Sequence, residues 1–224
     1  MKSSRPKAAI FDLDGTLVDS ADDIAEALTV ACTPLGADPF TRADVVEAIG
    51  GGSLVLIRRV LAMRDIAIDD AGFEATRRSF MAAYGDISAL GRGLYPGAHE
   101  LLDALGADGC RLALCTNKPE DVTHVAVKAL GLQPRLHAVV GAREDVPKKP
   151  APDMIFAALR AVGVAPADAI MIGDSRADIG AAKAAGVRSI VLRHGYSKTP
   201  VDELGADWVC GDLAAVGVVM RGLG

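Results

Sequence analysis

The chain holds 224 residues, half of them hydrophobic and few aromatic, with a formal net charge of −5. That suffices for one sizeable core and a small accessory domain. Acidic and basic residues are interspersed, so no basic stripe is present to hold a phosphate backbone and nucleic acid is not an expected partner.

The stretch from Met1 to Lys7 is basic, but Asp12 interrupts the apolar run behind it. The expectation is therefore no signal peptide, no membrane span and a cytoplasmic protein. Ala8-Ala9-Ile10-Phe11 reads as a buried strand of a parallel sheet. Asp12-Leu13-Asp14-Gly15-Thr16 closes it with two carboxylates, a permissive backbone and a capping hydroxyl. Ligands of open α/β sheets bind at such carboxyl ends, and strand alternation would set Asp12 and Asp14 on one face, roughly 6.6 Å apart at about 3.3 Å per residue. A strand-end Asp often only caps a turn. The full string on an apolar strand points instead to a site for phosphorus and a metal ion.

Helical spacing follows over residues 21–35, 41–49, 53–63 and 71–84. Strands are predicted at 111–116, 138–141, 169–173 and 189–192, each parted from the next by a helical segment, with a short edge strand at 208–210 and a last helix from Leu213. This alternation implies an α/β fold with a parallel, helix-covered sheet. The economical division is a core of residues 1–18 and 93–224 with a helical insert, residues 19–92, after the first strand. Gly91, Gly93 and Pro96-Gly97 mark the return crossing. Cys32, Cys110, Cys115 and Cys210 have no Cys-x-x-Cys spacing, which suits reduced core thiols better than disulfides or zinc.

Three further clusters fall at strand ends. Thr116-Asn117-Lys118-Pro119 offers a hydroxyl and backbone N–H groups where a helix begins, either as a phosphate cradle or as a helix cap beside a solvated lysine. Lys148-Lys149-Pro150 sets lysines before a proline that stiffens the loop, and Lys149 is the better candidate to be aimed. Ile170-Met171-Ile172-Gly173-Asp174 again delivers an acid from an apolar strand. Asp178 lies in the first turn of the next helix, where the helix dipole alone would favour it. Asp12, Asp14, Asp174 and Asp178 can share one crevice only with cations present, because like charges at 4 Å repel by about 4 kcal/mol at an effective dielectric of about 20. Oxygen ligands in an open site favour Mg²⁺, with Lys149 as the fixed positive charge.

These four strings, in this order, resemble the haloacid dehalogenase-like hydrolases over nearly the whole chain. The resemblance implies a Rossmann-like core in which Asp12 attacks phosphorus and Asp14 serves as general acid and base. It further implies that Thr116 and Lys149 hold the phosphoryl group, that Asp12, Asp14 and Asp174 bind Mg²⁺, and that Asp178 supports the metal or Lys149. The insert then corresponds to a small helical cap that closes over the site. Ala48-Ile49-Gly50-Gly51-Gly52-Ser53 resembles the cap's substrate-facing loop, so Gly50 and Gly51 join Asn117 as expected substrate contacts; equally, the glycines could simply separate two helices. Arg58 and Arg59 could be only a polar helix face.

Asp12 to Ser20, Thr116 to Pro119, Gly173 to Gly186 and His194-Gly195-Tyr196 are similar to bacterial phosphoglycolate phosphatases, which implies 2-phosphoglycolate as substrate. The partner expected is a small phosphorylated metabolite, and the chain is expected to be a monomer or homodimer. The rivals are a phosphatase of another small phosphomonoester, a β-phosphoglucomutase-like mutase and a non-catalytic phospho-ligand-binding protein. Thr16 and Ser20-Ala21 lean against the mutase, and the intact set of acids against the binding protein.

Overall fold

The computed structural model describes residues 5–223, so the first four residues of the basic leader lie outside the described part. Strand β1 (Ala8–Phe11) is fully buried along its length, as an unbroken apolar run in a sheet covered on both sides should be. Four helices follow: α1 (Ala21–Cys32), α2 (Arg42–Ala48), α3 (Ser53–Met63) and α4 (Asp70–Ser88). α1 stops short of residue 35 because Pro34 cannot donate into the ladder, and residues 33–35 tighten into a 3₁₀ turn. The buried faces of these helices, with Leu28, Ile57 and Phe80 among them, share one apolar cluster.

The remainder alternates: α5 (Ala98–Ala107), β2 (Arg111–Pro119), α6 (Glu120–Ala129), β3 (Ala138–Ala142), α7 (Asp153–Val162), β4 (Ala169–Gly173), α8 (Arg176–Ala185), β5 (Arg188–Leu192), β6 (Trp208–Cys210) and α9 (Leu213–Gly222). The six strands lie in the order β3-β2-β1-β4-β5-β6, every pairing parallel. Alternation sorts their side chains. Ala9, Phe11, Leu114 and Ile172 pack under α5, α6 and α9, while Ala8, Ile10, Ala113 and Met171 pack under α7 and α8. Thus the fold is the expected Rossmann-like α/β sheet with a helical insert after the first strand.

Two departures bear on the site. β2 runs on to Pro119, three residues past the expected stop at Thr116, through a register shift between Cys115 and Pro119. β1 stops at Phe11, and although Asp12 N still donates to Ile172 O at 2.9 Å, the chain then turns about Leu13 O, which accepts from Thr16 N, Leu17 N and Val18 N. Asp14 therefore lies in a turn, and its placement does not follow from strand alternation. The outgoing and returning segments meet where Val18 bridges Leu94 and Asp19 N donates to Gly93 O at 2.7 Å. A Cβ at Gly93 would fall 2.4 Å from Asp19 O, so this close approach needs glycine.

Candidate active site

β1 lies between β2 and β4, where the strand order reverses, and the crevice at such a switch point is the favoured binding place of an open sheet. A cavity of about 130 Å³ occupies it, lined from the sheet by Asp12, Asp14, Thr116, Asn117, Lys149 and Asp174, and from the insert by Gly50, Gly51 and Gly52. The distant segments singled out in the sequence thus meet around one space.

Asp12, Asp174 and Asp178 each offer an oxygen within 4.8 Å of the others, and all three are buried. Lys149 supplies the counter-charge. Its Nζ donates to Cys115 O and Asp178 Oδ1, both at 2.6 Å, and stands 2.9 Å from Asp12 Oδ1. That last contact pairs charges without the alignment of a hydrogen bond, and Asp12 Oδ1 has no hydrogen-bond partner among the described residues. Burial alone would depress the Lys149 pKa, but Asp12 and Asp178 outweigh it and raise it. Asn117 holds the lysine backbone from both sides, Nδ2 donating to Lys149 O at 2.9 Å and Oδ1 accepting from Lys149 N at 3.0 Å. Lys148, by contrast, is only partly buried.

Each acid has a different setting. Asp178 Oδ2 accepts from Ser175 Oγ at 2.6 Å and Ser175 N at 3.0 Å in a reciprocal capping box at the start of α8, while Oδ1 accepts from Lys149. Helix capping and support of the lysine coexist in this one residue, and both of its oxygens are engaged. Asp174 accepts from Tyr196 N at 2.7 Å and from Thr16 Oγ1 at 3.4 Å. Glycines box it in: a Cβ at Gly195 would fall 2.1 Å from Asp174 Cβ, and one at Gly15, where φ is +85°, 2.5 Å from Asp174 Oδ2.

Burial raises the Asp12 pKa to about 7, opposed by Lys149 and reinforced by Asp178 and Asp14. Burial also pushes Asp174 well above the usual carboxylate range, with Asp178 and Asp12 adding to it. Buried carboxylates that resist ionising together, one with an orphaned oxygen, fit a hard divalent cation whose charge removes that resistance.

Asp14, expected with the metal ligands, is not one of this trio. Its Oδ1 lies 3.4 Å from Lys118 Nζ and its Oδ2 accepts from Tyr84 OH at 3.4 Å. Lys118 is no solvated surface charge: its side chain is 3% exposed, bonds to the Tyr84 hydroxyl and sits 3.7 Å from the Tyr84 ring centroid. Burial lowers its pKa, with Asp14 pulling the other way. No local pattern signals this, because β2 reaches Lys118 only through the register shift that follows Cys115.

Gly50, Gly51 and Gly52 have φ of +108°, +87° and +86°, which favours glycine at each position. Arg59 Nη1 ties this loop down through Ala48 O, Ile49 O and Gly50 O, and Arg58 stacks over Phe73, so both arginines brace the insert. Tyr196 is a second residue the sequence did not single out by itself. Its hydroxyl accepts from Ser20 N and Ala21 N and donates to Asp19 Oδ1 at 2.7 Å, joining the start of α1 to the loop that holds Asp174. The four cysteines are free and buried as expected, and burial pushes the Cys115 thiol up to about 12, so only its carbonyl serves the site.

Residues 9–192 match the family model described as haloacid dehalogenase-like hydrolase. A phosphoglycolate phosphatase of Rhodospirillum rubrum is 40% identical over 216 residues, spanning 95% of this chain and 90% of that protein. A predicted phosphoglycolate phosphatase from Haemophilus somnus has a solved structure similar to this one with a TM-score of 0.90 at 29% identity, covering 96% of this chain and 98% of that one. CbbY from Rhodobacter sphaeroides, solved in complex with phosphate, gives a TM-score of 0.81 at 26% identity over 95% of this chain and 96% of its own.

Proposed function

The chain belongs to the haloacid dehalogenase-like hydrolase family, and we propose that within it the protein is a phosphatase that hydrolyses 2-phosphoglycolate, with Mg²⁺, through an aspartyl phosphate. The observation that carries this reading is Asp12, buried at the cavity with Lys149 Nζ 2.9 Å from its Oδ1 and two further acids beside it. The substrate follows the names of the relatives. A cavity of about 130 Å³, small beside the roughly 300 Å³ or more of drug-sized sites, supports a small ester.

Asp12 and Asp174 would hold the ion, because Asp178 already neutralises the Lys149 ammonium and caps α8, and Asp14 faces Lys118. When bound, the ion neutralises the buried acids and offsets charge on the phosphoryl oxygens. Asp12, ionised, attacks phosphorus; the P–O bond to glycolate breaks, and Asp14 gives its proton to the leaving oxygen. Asp14, now a carboxylate, takes a proton from the water that attacks the aspartyl phosphate, and inorganic phosphate leaves. Lys149 and Thr116 stabilise the equatorial oxygens, with Asn117 holding Lys149 in aim. Residues 19–92 act as the cap, Gly50 and Gly51 forming the wall it brings over the substrate, and its closure excludes water.

The test is phosphate release from a panel of small phosphomonoesters with and without Mg²⁺. 2-Phosphoglycolate is expected to lead, chelation to abolish release and Asp12→Asn to stop turnover. An Asp12→Asn protein with wild-type turnover sinks the nucleophile assignment. Interconversion of hexose phosphates without phosphate release reassigns the chain as a mutase.

A further inference from the structure

Lys118 and Tyr84 have no step in that mechanism, yet both line the cavity. A buried ammonium is costly unless paired, and this one is paired with groups of the site itself, the Tyr84 hydroxyl and Asp14 Oδ1. Lys118 and Lys149 are the two cationic residues among those lining the cavity. Lys149 donates to Cys115 O and Asp178 and lies beside Asp12, which sets its charge on the phosphoryl side. Lys118 instead adjoins Asp14, the acid that meets the bridging oxygen, and so stands beside the leaving group. The insert also lines the cavity with Ile24, Ile49, Leu56 and Phe80, apolar side chains that carry no charge for an anion. A carboxylate one carbon from the bridging oxygen would lose its water there and find Lys118 as its cation.

We propose that Lys118, held by Tyr84, receives the carboxylate of the leaving group, so that the enzyme selects phosphomonoesters of small hydroxy acids over neutral phosphomonoesters. This rests on the phosphatase reading above and names the residue that sets its substrate class. Tyr84 and Asp14 take two of the ammonium's three protons, and the substrate carboxylate accepts the third. Because Tyr84 belongs to α4 and Lys118 to β2, the specificity pair is complete only with the insert seated on the sheet.

The experiment compares kcat/KM for 2-phosphoglycolate with that for 2-hydroxyethyl phosphate, which keeps the bridging oxygen and chain length and replaces the carboxylate by a neutral alcohol. The wild type should prefer the acid by about a hundredfold, as expected of a charge-assisted hydrogen bond in a desolvated site. Lys118→Met should remove most of that preference, chiefly through KM, and Tyr84→Phe should reduce it by about three- to tenfold. Effects exerted through Asp14 reach both esters alike and cancel in the ratio. Should Lys118→Met fail to fold, the wild-type ratio and Tyr84→Phe still decide the matter. An active but unselective wild type, a folded Lys118→Met with the wild-type ratio, or a Tyr84→Phe with the full preference overturns the proposal alone. A wild type inert toward both esters overturns the phosphatase reading with it.

Discussion

Replacing Asp178 by Asn keeps the shape of the side chain and removes one negative charge from the buried centre. Asp178 Oδ1 accepts from Lys149 Nζ at 2.6 Å, and Oδ2 accepts from Ser175 N and Oγ. An amide cannot serve both sides, because one of its ends is a donor. Whichever way it turns, its NH₂ meets either the ammonium or the cap donors. Removing one partner of a buried pair costs about 3–5 kcal/mol. Asp12 Oδ1, 2.9 Å from Lys149, continues to neutralise the lysine, so the lower end, about 3 kcal/mol, applies. For a chain of this size each kcal/mol moves the unfolding midpoint by about 2–4 °C. Calorimetry on metal-free Asp178→Asn should therefore show a midpoint about 6–12 °C below wild type; leaving the ion out keeps its binding energy from the comparison. A midpoint within about 2 °C of wild type would refute the chain of bonds from Lys149 through Asp178 to Ser175 as the source of stability.

Gly195→Ala forces a Cβ to within 2.1 Å of Asp174 Cβ, and a displaced ligand should weaken Mg²⁺ binding by about tenfold or more in titration calorimetry; unchanged affinity contradicts Asp174 as a ligand. Tyr196→Phe leaves Ser20 N and Ala21 N without their acceptor and takes from Asp19 one of its donors, Arg42 remaining. Urea denaturation should record a loss of about 1–3 kcal/mol, and no loss would mean that these bonds do not hold the start of α1. In the metal-free protein, burial raises Asp12 from 3.8 to about 7, so the fold favours the protonated acid. That contribution is fully present below about pH 4 and is lost as pH rises through about 7. Mg²⁺ restores it, and the rise in Tm on adding Mg²⁺ should grow from about pH 5.5 to about pH 8; a rise independent of pH counts against the acid cluster as the binding site.

The strand-end acids are legible because apolar runs that stop at Asp12 and Asp174 carry a local contrast, and Gly15 and Gly173 nearby mark where the side chains of Asp174 and Asp178 come close to the backbone. Lys149 was legible for a similar reason, the proline beside it. Lys118 was not, because its burial depends on Tyr84, 34 residues earlier in the chain, and on β2 outrunning its apolar pattern through a register shift. The sequence offers Asn117 as a substrate contact, and no local pattern reveals that its amide bridges to the backbone of Lys149, 32 residues away. Tyr196 belonged to a recognisable string, but its reach from Asp174 to the start of α1 exists only once the sheet has closed. Periodicity thus reports what a segment buries, whereas pairings between segments await the fold.

The position of β1 also governs how the chain is born. This strand is synthesised first yet sits between two parallel neighbours, the nearer of which begins about 100 residues later in the chain. At roughly 5–20 residues per second, a nascent Ala8–Phe11 waits many seconds without a partner while the local contacts of α1 to α4 can already form. Lys7 and Asp12 flank that sticky tetrapeptide with opposite charges, the arrangement that keeps exposed hydrophobic strands from aggregating. Asp12 thus already carries a charge at the end of that strand before there is a pocket for it to serve.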